Sequence, residues 1–161
     1  MLNLQKILQR ILSKKVECIL VGGFAAVAHG SSTLTRDLDV CFSFHPENIR
    51  KLIEALEDIH PHMRAGPGIL PLEHYTVERL SQLNNLYVKT DWGDLDLLGQ
   101  IKGIGNFEEV SKKTIEIEIF GYPCRILDID SLIKAKEAMD RPKDKQVVLE
   151  LQVIREKNSK K

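Results

Sequence analysis

The chain has 161 residues, 43% hydrophobic and 29% charged, which suits one compact unit with a core and excludes a fibrous or disordered chain. Twenty-three basic residues balance 23 acidic ones, so a uniformly basic nucleic-acid binder is excluded, and 6% aromatics leaves few rings for stacking bases. Cys18, Cys41 and Cys124 are odd in number and far apart, without a C-x-x-C pair, and read as reduced thiols. No apolar run approaches a membrane span, and MLNLQKILQRIL has helical spacing rather than a signal peptide's apolar core, so a cytoplasmic protein with no membrane partner is expected.

Leu4, Ile7, Leu8, Ile11 and Leu12 predict an amphipathic helix closed by Lys14 and Lys15. Val16 to Val21 reads as a buried strand, broken by Gly22-Gly23, and FAAVAH as a helix reaching Gly30. A polar turn, Ser31 to Thr33, precedes a second strand from Leu38 to Phe44 with Asp37 at its start. Pro46 opens a helix through NIRKLIEALEDI. His60 to Leu72 carries three Pro and two Gly and is expected to be irregular, either a connector or a mobile loop beside a substrate. A short helix follows between His74 and Leu83. Leu86 to Thr90 and Asp94 to Leu98 form a hairpin around Asp91-Trp92-Gly93. Gly103 to Asn106 reads as loop and FEEVSKK as a short helix. Ile115 to Phe120 and PCRILDI make a second hairpin. Asp128 or Asp130 caps a helix through SLIKAKEAM. A last helix starts near Pro142, and the tail EKNSKK is expected to be solvated and frayed. The expected class is α/β (α+β): a mixed sheet flanked by helices, one domain over 1–161, with a core of about 16–127 and C-terminal helices at about 129–155.

The chemistry concentrates between Leu20 and Phe42. Asp37 and Asp39 lie at i and i+2, which places both carboxylates on one face of a strand and sends Leu38, Val40 and Phe42 to the other. Two adjacent carboxylates resist joint ionisation, and a divalent cation such as Mg²⁺ relieves the conflict. Gly22-Gly23, where a strand meets a helix, lets a phosphate approach the backbone. The P-loop pattern fails for want of a Lys, and the dinucleotide fingerprint fails at Phe24 and Val27. Asp94 and Asp96 repeat the i, i+2 arrangement. Asp96, between Leu95 and Leu97, is the better third carboxylate, while Asp94 follows Gly93 and belongs nearer the turn. His29, His60, His62 and His74 make no zinc site on this spacing.

Together, Val21-Gly22-Gly23, Asp37-Leu38-Asp39-Val40 and Leu95-Asp96-Leu97 resemble the motifs of the nucleotidyltransferase superfamily that includes DNA polymerase beta and the kanamycin nucleotidyltransferases. TRDLD, TDWGDLDLL and the stretch through Lys136 and Arg141-Pro142-Lys143-Asp144 look like its small prokaryotic branch, the minimal nucleotidyltransferases and relatives of AbiEii-type toxins. The resemblance runs from about Val16 to Leu151. It implies a nucleotidyltransferase fold, an NTP donor and a hydroxyl acceptor, with pyrophosphate leaving. It places two Mg²⁺ on Asp37, Asp39 and Asp96, with Asp96 activating the acceptor, and the triphosphate on Gly22 and Gly23. Thr35, Arg36, Lys136 and Arg141 become candidate phosphate neighbours, and Asp144 a first-turn residue of its helix. The acceptor stays open among tRNA or other RNA, a protein or a small molecule. A toxin–antitoxin role with a cognate partner is one expectation. A non-catalytic antitoxin or nucleotide-binding regulator is the alternative, and would tolerate loss of the carboxylates.

Overall fold

Asp37–Phe42 (β2) is the middle strand of a seven-stranded mixed sheet. This computed structural model describes residues 3–64 and 70–160. The other strands of the sheet are β1 (Cys18–Leu20), β3 (His62–Met63), β4 (Asn85–Thr90), β5 (Gly93–Leu98), β8 (Thr114–Ile119) and β9 (Tyr122–Leu127), in the order β3-β4-β5-β2-β1-β9-β8. β6 (Gln100–Ile101) and β7 (Gly105–Asn106) form a separate small ribbon. Pairing is parallel between β2 and β5 and between β1 and β9, and antiparallel elsewhere.

The helices are α1 (Leu4–Ser13), α2 (Gly22–Ala28), α3 (Pro46–Leu56), α4 (Val77–Ser81), α5 (Phe107–Ser111), α6 (Ile129–Met139) and α7 (Pro142–Ser159). α1 lies against β2, β5 and β9 and packs on α3, which carries α4. α2 packs on β2 and on α6, and α6 on α7. The mixed sheet flanked by helices is therefore as expected. None of the helices among the described residues is long and apolar enough to cross a membrane.

Register is set by the side chains that β2 and β5 bury. Leu38, Val40, Leu95 and Leu97 are all fully buried. Each contributes about 1.5–3 kcal/mol by leaving water. A slip of one residue would put carboxylates where these four side chains sit. That penalty outweighs the repulsion among the acids, so the apolar face dictates where the acidic face comes together.

Several boundaries differ from the sequence reading. α2 begins at Gly22 itself, so both glycines belong to the helix's first turn. Gly30, with φ +113°, follows the capping residue His29. β2 ends at Phe42, short of Phe44. His60–Leu72 is not wholly irregular: His62–Met63 adds an edge strand to β4, and His62 also bridges Pro71. The middle of that segment lies outside the described residues. Residues 103–106 include the strand β7 rather than loop alone. Asp128, not Asp130, caps α6, accepting a hydrogen bond from the Ser131 N–H at 2.8 Å. α7 continues through Ser159, so most of the expected frayed tail is exposed helix. Cys18, Cys41 and Cys124 carry no disulfide, and burial pushes their thiols up to about 12, 12 and 11, which leaves them unreactive at neutral pH.

Candidate functional site

The parallel pairing of β2 and β5 sets Asp37 opposite Asp94 and Asp39 opposite Asp96. The four carboxylates form two rows on one face of the sheet, and β4 extends each row. Lys89 stands opposite Asp94, and Tyr87 opposite Asp96. Burial pushes the Asp39 carboxyl up first, and the neighbouring carboxylates of Asp96 and Asp37 add to it, reaching about 7 despite the opposing charge of Lys136. Asp37 is raised by burial and by Asp96, with Arg64 working against the rise.

Arg64, just beyond β3, is the residue that sequence reasoning passed over. Its backbone N–H donates to the Tyr87 carbonyl at 2.8 Å, continuing the strand pairing. Its guanidinium lies over the Tyr87 ring, 5.6 Å from the centroid. One Nη donates to Asp96, and the other stands 3.4 Å from Asp94. A fork on two carboxylates holds them in fixed orientations. Asp94, assigned to the turn, is thus tied to Asp96 through Arg64. No composition signal marks Arg64, because Pro and Gly on both sides read as connector.

Gly22 touches the acidic face from α2. Its φ of +68° suits glycine, and a Cβ there would sit 2.5 Å from an Asp39 carboxylate oxygen. Gly23 leaves room for Thr35, whose side chain would lie 3.0 Å from an added Cβ. The Thr35 hydroxyl donates to the Asp37 carbonyl at 2.9 Å and fixes the start of β2. Arg36 is exposed, does not line the Asp39 cavity, and makes no salt bridge among the described residues.

A cavity of about 280 Å³ opens from Asp39 between the sheet and α6. Its polar end is made by Gly22, Asp39, Lys136, Arg141 and Asp144. Val21, Leu98, Ile101, Leu127, Leu132, Ala135 and Met139 supply apolar walls, and Asn85, Tyr87, Gln100 and Lys102 complete the lining. Lys136, on α6, is 9% exposed and 3.6 Å from Asp144. Burial pulls its pKa down, and Asp144 pushes back. Asp144 is 1% exposed and held below the usual carboxylate range, since the bonds and charges from Arg141 and Lys136 outweigh its burial. The sequence reading of Asp144 as a simple first-turn residue missed this.

Of the expected site residues, the structure brings Asp37, Asp39, Asp96, Gly22, Gly23 and Thr35 to one place at the sheet. Of these, Gly22 and Asp39 line the cavity that Lys136 and Arg141 reach from the far side; Asp37, Asp96, Gly23, Thr35 and Arg36 do not line it. The donor set is carboxylate oxygen with mutual repulsion, which fits a hard cation such as Mg²⁺. Among the described residues no group of three or more His, Cys, Asp and Glu side chains forms a ready-made metal cage. The fit is therefore to the mode in which one or two carboxylates share Mg²⁺ with substrate phosphates.

No family model matches the sequence, and no curated protein matches it. Among solved structures, the chain is similar to the lincosamide antibiotic adenylyltransferase LnuA in its lincomycin-bound form. The TM-score is 0.66 at 18% identity, over 95% of this chain and 98% of that one. At that identity the likeness establishes the fold: this chain folds like a nucleotidyltransferase.

Proposed function

We propose that the protein is a nucleotidyltransferase that moves a nucleoside monophosphate from an NTP to a hydroxyl, releasing pyrophosphate. The observation that carries this reading is the β2–β5 register, which sets Asp39 beside Asp96 and against Gly22 at the mouth of a cavity that Lys136 and Arg141 also line. The shared fold of an adenylyltransferase supports it. Asp37, Asp39 and Asp96 would offer one or two carboxylates to each Mg²⁺, shared with the substrate phosphates, and the metal would supply charge neutralisation at the reacting phosphate and at the entering and leaving oxygens. The Gly22 and Gly23 N–H groups hold phosphate oxygens, helped by Lys136 and Arg141. Asp96 takes the acceptor's proton, and Arg64 keeps its carboxylate in place. The apolar cavity walls exclude water from the donor. The donor's base and the acceptor class belong to this proposal and are open to the same assay.

The test is transfer of label from radiolabelled NTPs with Mg²⁺ to a panel of tRNA, candidate proteins and small hydroxyl compounds. Wild type labels at least one acceptor and Asp39→Ala does not. Equal labelling by both, or none across the panel, refutes the reading. The non-catalytic alternative finds no specific support in the site, since all three carboxylates are present and on one face.

A further inference from the structure

We propose that Asp144 is a positioning residue for nucleotide phosphates: it holds Lys136 and Arg141 in the cavity wall so that both cations meet the phosphates together. The proposal rests on the nucleotide reading of the cavity given above.

Asp144 does far more than a helix start requires. As a first-turn residue of α7 it accepts the Arg141 backbone N–H at 3.3 Å, and this alone would complete the cap. It also accepts from Arg141 Nε at 2.6 Å and Nη2 at 3.1 Å, a two-pronged contact that fixes the plane of the guanidinium. Lys136, one helix earlier, places its Nζ 3.6 Å from the same carboxylate. An ordinary capping carboxylate lies in water, whereas this one is 1% exposed beneath α6.

The two cations repel each other, and Lys136 is buried. Without a carboxylate between them, Lys136 would lose its proton or swing out of the wall. Asp144 removes that conflict while leaving the trio with a net charge of +1. This gives the proposal a definite sign. On net charge alone, replacing Asp144 by a neutral residue raises the trio to +2 and strengthens phosphate binding. Positioning predicts the opposite.

The experiment is calorimetric binding of a nucleoside and its mono-, di- and triphosphate, with Mg²⁺, to wild type, Asp144→Asn and Arg141→Lys. Wild-type affinity climbs with phosphate number. Asp144→Asn binds the triphosphate about tenfold more weakly, or worse, and the nucleoside unchanged. Arg141→Lys, which keeps the charge but loses the two-pronged contact at a half-exposed position, shows the same phosphate-dependent trend at about threefold. Triphosphate affinity that is unchanged or higher in Asp144→Asn overturns the proposal. So does an equal loss for nucleoside and triphosphate, which marks a merely structural role. Should Asp144→Asn not fold, wild-type triphosphate affinity in Arg141→Lys overturns it. Failure of wild type to bind any NTP instead overturns the nucleotide reading, and this proposal with it.

Discussion

Asp39 and Asp144 stand in the wall of one cavity and have opposite surroundings. Asp39 faces other carboxylates across a strand pair, and its carboxyl rises to about 7. Asp144 faces two cations, and its carboxyl is held low although almost none of its surface meets solvent. Burial disfavours charge at both positions, so the partners decide the outcome. The sheet side gathers like charges that Arg64 offsets only in part. The helix side is a set of unlike charges already resolved. A ligand with phosphates and Mg²⁺ would complement both sides at once.

The largest effect that tests this division is on catalysis. Asp39→Ala should lower nucleotidyl transfer by about 10³-fold or more, read as label incorporated per minute. Activity within tenfold of wild type would break the assignment of the acidic side to chemistry. Next, Asp144→Ala leaves a buried ammonium without its counter-charge and should cost about 3–5 kcal/mol in urea unfolding. A loss below about 1 kcal/mol would reduce Asp144 to a helix cap.

Smaller, and opposite in sign, is the effect of Asp39→Asn on the ligand-free protein. Because the folded carboxyl is raised from 3.8 to about 7, the folded state binds more protons between those values, and stability falls as pH rises through the window. Removing the charge should therefore add about 2 kcal/mol at pH 8, roughly 4–8 °C in Tm, and flatten the profile between about pH 4 and 7. Asp144 behaves in reverse: its contribution is present above the unfolded value of 3.8 and is lost as pH falls below it. A thermal melt series across pH distinguishes the two. The smallest effect belongs to the exposed pair Lys145–Asp140, 3.7 Å apart, where Lys145→Ala should change stability by less than about 0.5 kcal/mol.

The sequence made the acidic face readable because Asp37-Leu38-Asp39-Val40 and Asp94-Leu95-Asp96-Leu97 each alternate acidic with apolar, and alternation is a local property. It also made the start of α3 and the hairpins readable, since Pro46 and Gly93 act within a few residues of themselves, whereas the cap of α6 stayed open between Asp128 and Asp130. Arg64 was not readable. It reaches Asp96 only because a two-residue edge strand pairs with β4, and nothing in HPHMRAG announces that pairing. Asp144 was half readable. Its place at the start of α7 follows from Arg141-Pro142, but its contact with Lys136 depends on how α6 and α7 cross. The β6–β7 ribbon escaped notice because its strands are too short to show a period.

The parallel pairing of β2 with β5 also governs the order of assembly. The hairpins β4–β5 and β8–β9 close over a few residues, whereas β2 reaches β5 only across residues 43–92. Closing so long a loop is entropically costly, and contacts of large sequence separation slow folding. The acidic rows therefore come together late, after the local hairpins can form. During synthesis the carboxylates of β2 wait in water until β5 has emerged, and the site is assembled by the same long-range step that completes the sheet.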